Sequence, residues 1–185
     1  LSIITNKPLV MRNIRAGRAK PGLRRQHLTC VQAAAARCNA ELHGASVGSQ
    51  HLEFTPREPT TATQLAFDIG TAGSTTLVVQ TILVPAIVAR RPLRFTVEGG
   101  THNPMAPPFE FLAESFVPVL RRMGAKIDLT LERPGFYPTG GGRIVATPAD
   151  YRIAYELGLP VLVRGGEVLS PPARDLLRLL RDREL

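Results

Sequence analysis

The sequence predicts an α/β (α+β) protein built of repeated β-α-β-α-β-β units. Three observations lead there. Short strand-like runs alternate with helical periodicity along the chain. The stretch from Leu77 to Ala89 is apolar on nearly every face, as a helix buried between layers must be. And the order of elements repeats. Lys7-Pro8-Leu9, a strand, a Gly-bearing turn, a proline, a helix, Asn39-Ala40, a strand pair and Thr55-Pro56 form one series. Arg91-Pro92-Leu93, a strand, a Gly-bearing turn, a proline, a helix, Gly124-Ala125, a strand pair and Thr147-Pro148 form the other.

In order, Pro8 to Ile14 reads as a strand. Pro21-Gly22 is expected to open a helix to about Asn39, with Leu23, His27, Leu28, Val31, Ala34, Ala35 and Cys38 at helical spacing. Ala40 to Gly44 and Ser49 to Pro56 read as paired strands, and Arg57 to Thr63 as a polar linker. Gln64 to Ile69 is a strand, followed by the small-residue turn Gly70 to Thr76, in which Ser74 or Thr75 can cap the buried helix. Pro92 to Glu98 is a strand, Gly99 to Pro108 a long turn, and Phe109 to Met123 an amphipathic helix. Lys126 to Glu132 and Gly142 to Thr147 are strands joined by a Gly-rich connection, read as a hairpin. Residues 151–185 break the pattern: Val161-Leu162-Val163 is a candidate strand, and Ser170-Pro171-Pro172 can start a Leu- and Arg-rich helix.

The expected organisation is an incomplete first repeat over 1–63, a complete second repeat over 64–150, and an unassigned tail over 151–185. The second copy has its own strand and buried helix in front of it. The first has only Leu1 to Asn6, so the repeat implies a missing strand and most of a helix. Such a chain is expected to expose apolar surface, which favours self-association or a partner.

Composition sets the partner class. The chain has 185 residues, 44% hydrophobic content, a formal net charge of +8 and no Trp. A strongly basic balance favours phosphate-bearing partners, nucleic acid above all. Cys30 and Cys38 lie on one predicted helix, about 12 Å apart along its axis, too far to bridge. Free thiols, with no leader signal, point to a reducing, cytoplasmic location, or a nuclear one in a eukaryote. No stretch is long and apolar enough to suggest a membrane span. No histidine pair has zinc spacing, and no histidine falls into a recognisable nucleophile–base pattern.

The charge concentrates in Ile14 to His27, where Arg15, Arg18, Lys20, Arg24 and Arg25 surround Gly17, Pro21 and Gly22. A basic loop leading into a helix N-terminus is an anion site in outline, and equally a solvated loop. Arg15 and Arg18 flank Gly17, so two guanidinium forks could grip one phosphate, and Gly17 could permit close approach or a positive φ. Gln26, on the first turns of the helix, could add an amide contact. His27 falls on the apolar stripe, as a core residue or a support to the site. Gly70 to Ser74 is laid out like a phosphate cradle but lacks a P-loop ending, so tight helix packing is the better reading. Gly99-Gly100-Thr101-His102-Asn103-Pro104 holds the place in the second copy that the basic loop holds in the first.

These residues resemble a known family. Arg15-Ala16-Gly17-Arg18-Ala19-Lys20-Pro21-Gly22-Leu23, with Arg25-Gln26-His27-Leu28-Thr29, is similar to the signature of RNA 3′-terminal phosphate cyclases. Gly48-Ser49-Gln50, Gly73-Ser74 with Gln80-Thr81, Gly99-Gly100-Thr101 with Asn103-Pro104 and Ala106-Pro107-Pro108, and Gly135-Phe136-Tyr137-Pro138 with Gly140-Gly141-Gly142 follow in the family's order. The resemblance covers residues 1–148. It implies repeats like the C-terminal domain of translation initiation factor three. It implies conversion of an RNA 3′-phosphate end to a 2′,3′-cyclic phosphate with ATP and a divalent metal (Mg or Mn), through enzyme–AMP and RNA–adenylate intermediates. Arg15, Arg18 and Gln26 would hold the RNA terminal phosphate or ATP phosphates. Gln80, Pro107 and Asn103 would line the ATP pocket, and no metal ligand is nominated. The family's Gly-rich N-terminal segment and its nucleophilic histidine have no counterpart here, so none of His27, His43, His51 or His102 is assigned catalysis, and a partial form is expected. The alternative is a non-catalytic cyclase-like RNA-binding protein of ribosome assembly, against which the retained arginines weigh. Enolpyruvyl transferases use a similar repeat but lack the arginine stretch.

Overall fold

The computed structural model describes residues 1–149, except 90 and 124, together with 163–164 and 167–168. Two sheets carry the fold. The first is formed by β1 (Leu9–Met11), β2 (Glu41–His43) and β3 (Leu52–Thr55), in the order β1-β3-β2, all antiparallel. The second holds β4 (Gln64–Asp68), β5 (Arg94–Gly99), β6 (Lys126–Arg133) and β7 (Gly142–Ala149), in the order β4-β5-β7-β6. Within it β5, β7 and β6 pair antiparallel, while β4 adds on parallel to β5. The subset β5-β7-β6 thus has the order and sense of β1-β3-β2, and the sequence repeat is a repeat in space.

The helices are α1 (Ser2–Thr5), α2 (Arg25–Cys38), α3 (Thr75–Val88) and α4 (Val117–Arg122), the last preceded by a π-helical stretch over Phe111–Phe116. Pro118 has no N–H to give to the turn before it. The chain winds wider there, with Val117 N–H donating to the Leu112 carbonyl. The helix expected over Phe109 to Met123 is therefore present in two forms. Beyond residue 149, Val163–Arg164 pairs antiparallel with Glu167–Val168. The rest of the candidate strand at Val161 and the helix expected after Ser170 lie outside the described residues.

Helix α3 is the centre of the core. Its Val78, Val79, Ile82 and Leu83 are fully buried, with Ala86 and Ile87 nearly so. One side meets Phe95, Val97, Ile144 and Ala146 of the second sheet; the other meets α2, whose Ala33 is fully buried against it. A helix between two layers has no face to leave polar, hence its uniform sequence. Each fully buried Val, Ile or Leu contributes about 1.5–3 kcal/mol. The outer face of the second sheet is charged instead. Arg143 lies 3.2 Å from Glu132 and 3.7 Å from Glu98, and Arg94 lies 3.7 Å from Glu132.

One expectation is corrected. Helix α2 begins at Arg25, not at Pro21. Residues 22–23 lie outside the helix: Leu23 N–H donates to the Ser49 carbonyl, and Gly48 N–H to the Leu23 carbonyl. Gly22, at φ 78°, lets the Gly48 carbonyl lie where a Cβ would stand. Strand β1 is exposed on all three residues, because among the described residues nothing pairs with its outer edge. In the second unit β4 and α3 take that place.

Candidate functional site

The C-terminal ends of parallel strands β4 and β5 point the same way, and three glycine-bearing loops close over them. The loop of residues 70–74 leads into α3, where the Ser74 hydroxyl caps the helix by accepting from Leu77 N–H at 3.2 Å. The loop after β5 is locked to it. Gly100 N–H donates to the Gly73 carbonyl, and Thr75 N–H and hydroxyl both donate to the Gly100 carbonyl. A Cβ on Gly100 would overlap the Ala72 carbonyl oxygen and Asn103 Oδ1, so only glycine fits there. The loop from β6 to β7 joins them through Gly135, whose N–H donates to the buried Thr101 hydroxyl at 2.9 Å. The β6–β7 connection is the expected hairpin.

Helix α2 arrives at the same place with its N-terminus. Gln26 Oε1 accepts from Ser74 N–H at 3.0 Å, so the first turn of α2 is tied to the cap of α3. Arg25 accompanies it, its Nη1 over Gly70. Two helix N-termini thus meet, their first N–H groups largely bonded within the protein, and their dipoles favour a negative charge beside them. Beside the junction lies a cleft of about 290 Å³, lined by Gln26, Ala72, Asn103, Pro104, Met105, Ala106 and Tyr137. That volume is near the lower bound of small-molecule sites. Asn103 Oδ1 is buried there without a hydrogen-bond partner among the described residues. A ligand N–H or O–H would satisfy it, and Gln26 still has both amide hydrogens to offer.

The cleft therefore brings Gln26 and Asn103 together. Gln80 and Pro107 are not in its lining. Gln80 sits further along α3, half-buried, and the Pro107 carbonyl accepts from the Thr76 hydroxyl, anchoring the loop from behind. In the arginine loop the two guanidinium groups differ. Arg15 turns inward, donating from Nη1 to the Lys20 carbonyl at 2.8 Å and the Gly22 carbonyl at 3.0 Å. Arg18 is exposed, with no side-chain hydrogen bond or ion pair among the described residues. Positive φ falls on Arg15 at 53°, not on Gly17, whose Cβ position is open space.

Each histidine has a different task. His27 Nδ1 accepts from Arg24 N–H at 3.1 Å, closing the N-terminus of α2. It is a helix cap, which corrects the core reading of its position and leaves the other, a support beside the arginine loop. Partial burial, then the Arg15 and Arg24 cations, hold its pKa below the ordinary value. His102 stacks on Phe136 at 5.0 Å between centroids, and its Nε2 meets Glu110 at 3.0 Å. That contact first of all holds the Glu110 carboxyl below the usual range. His43 and His51 pair with Glu41 and Glu53 on exposed strands of the first sheet.

The family model described as RNA 3′-terminal phosphate cyclase matches residues 1–153. The chain belongs to this family. A relative from Koribacter versatilis called RNA 3′-terminal phosphate cyclase is 47% identical over 189 residues, covering 100% of this chain and 52% of the relative. Relatives of the same name from Ectopseudomonas mendocina and Pseudomonas fluorescens are 50% and 52% identical over 154 and 146 residues. They cover 82% and 79% of this chain, and 45% and 42% of themselves. The chain spans about half the length of the curated relatives it matches. The Koribacter match runs through the tail, beyond the expected limit of resemblance at residue 148.

For this cyclase-family chain, the elements that sequence reasoning missed are Arg25, Ala72 and the Thr101–His102–Glu110 series. Arg25 was visible beside Gln26; the series became visible only when the loops were folded together. Among the described residues no three His, Cys, Asp or Glu side chains converge as a metal cage. No helix among the described residues is long and apolar enough to cross a membrane.

Proposed function

We propose that this chain supplies the phosphate- and nucleotide-holding part of an enzyme that converts an RNA 3′-phosphate end to a 2′,3′-cyclic phosphate using ATP, a ligase-class reaction. What carries this reading is Gln26: one side chain belongs to the helix led by the arginine loop, to the cap of α3 and to the cleft holding the orphaned Asn103 oxygen. ATP would supply the activating group. Asn103 Oδ1 would accept from its base or sugar, with Pro104 and Ala106 as an apolar wall. Gln26 and Arg25 would hold phosphate oxygens beside the two helix N-termini, and Arg18 would reach the RNA end. Arg15 would act by fixing the loop.

The test is twofold. Binding of an oligoribonucleotide ending in a 3′-phosphate is compared with one ending in a 3′-hydroxyl, and the phosphate end is expected to bind more tightly. Labelled ATP is then offered to this chain and to a full-length relative. Covalent AMP is expected on the relative and absent from this chain. AMP on this chain would show that it carries a nucleophile of its own. RNA binding without preference for the phosphate end would favour the non-catalytic alternative.

A further inference from the structure

Arg37, on the last turn of α2, is only 2% exposed. Its Nε and Nη2 are buried, with no hydrogen-bond partner among the described residues. It lines a second cleft, of about 320 Å³, with Arg57, Glu58, Ile3, Pro85 and Val88. It lies eleven residues beyond Gln26, about 16 Å along the helix axis, so this cleft is separate from the first.

A buried guanidinium with idle donors is costly, and proteins normally give such a charge a partner. The C-terminal dipole ends of α2 and α3 favour a cation here but take none of its directed N–H bonds. Burial, and then the nearby Arg91 cation, push the Arg37 pKa down, yet a guanidinium keeps its charge near neutral pH. The other groups do not balance it. Arg57 is paired with Glu41. Glu58 is exposed and makes no ion pair among the described residues. With Glu58 counted, Arg37 and the nearby Arg91 leave one positive charge, which favours an anionic group. Ile3, Pro85 and Val88 form an apolar wall for whatever carries it.

We propose that the cleft between the C-terminal ends of α2 and α3 is a second phosphate site, in which Arg37 Nε and Nη2 donate to two oxygens of a phosphate carried by a free nucleotide or by an RNA strand. The fork geometry suits bidentate contact.

The full chain is titrated at constant ionic strength with inorganic phosphate, AMP, a 3′-hydroxyl oligoribonucleotide and succinate, following thermal unfolding. Arg37→Met is expected to melt higher than wild type without ligand, because it removes an uncompensated buried charge. It is also expected to lose affinity for the phosphate ligands by about tenfold or more. Arg18→Ala, which alters only the arginine loop, should keep the Arg37-dependent part. Response to phosphate and AMP identifies a nucleotide site; response to the oligoribonucleotide alone identifies a strand contact. Unchanged phosphate affinity in Arg37→Met, a lower melting point for it, or stabilisation by succinate equal to that by phosphate would each overturn the proposal. Should the Met variant not fold, Arg37→Lys keeps the charge without the fork and is expected to bind phosphate about tenfold more weakly; undiminished affinity there overturns the proposal as well.

Discussion

The backbone N–H of Ser74 donates to the side-chain oxygen of Gln26 at 3.0 Å, across 48 residues of chain. Ser74 is almost fully buried, so no water replaces this acceptor. Gln26→Ala is expected to lower unfolding free energy by about 1–3 kcal/mol, the cost of an orphaned buried donor. Gln26→Glu keeps an oxygen in place and should unfold near wild type, while its negative charge weakens binding of a phosphorylated RNA end. Chemical denaturation and RNA titration measure the two effects. Equal destabilisation by both variants would show that the acceptor is not what matters.

Arg15 and Arg18 should separate in the same pair of measurements. Arg18→Ala removes an exposed side chain and is expected to change stability by no more than about 0.5 kcal/mol. It should weaken binding of a 3′-phosphate end about tenfold and flatten the salt dependence. Arg15→Ala removes two bonds that close the loop and should cost about 1–3 kcal/mol as well as binding. Arg15→Gly should cost less than Arg15→Ala, because glycine tolerates a φ of 53°.

Gly100→Ala tests the closure of the loops. Its methyl would meet the Ala72 carbonyl, which is backbone and cannot turn aside, and Asn103 Oδ1. We expect a loss of about 1–3 kcal/mol in thermal unfolding, as for overpacking elsewhere, and loss of nucleotide binding as Asn103 moves. Wild-type melting and binding would mean that the junction is loose.

The cap on α2 should respond to pH. His27 takes up a proton less readily in the folded chain than in the unfolded one, where the ordinary value is about 6.5. Between the two values the unfolded state binds more protons. The stability contributed by neutral His27 is therefore complete above about pH 6.5 and lost as pH falls through the folded-state value. His27→Gln keeps an acceptor at the cap without titrating, so its denaturation midpoint should fall less between pH 7 and 5. Parallel profiles for the two proteins would remove His27 as the source.

Much of this was legible in the residues. The β5-β7-β6 and β1-β3-β2 correspondence followed from matching strings of strand, turn and helix. The burial of α3 followed from a run with no polar face, and the family followed from the arginine stretch and the glycine runs behind it. The start of α2 was misplaced because Pro21-Gly22 resembles a helix opening. That Gly22 lies against the Gly48 carbonyl depends on residues far apart in sequence.

The sequence by itself determined the fold class, the repeat and where residue types suited to an anion cluster, because periodicity and turn chemistry are local. Only the tertiary structure decided which of them act together. It turned Arg15 inward and left Arg18 exposed, joined Gln26 to Ser74, stranded an oxygen of Asn103 in a cleft and set Gln80 and Pro107 outside it. It also left Nε and Nη2 of Arg37 buried without a partner among the described residues, at the far end of α2. Hydrogen bonds and burial join positions tens of residues apart, and no local pattern records which donor finds an acceptor.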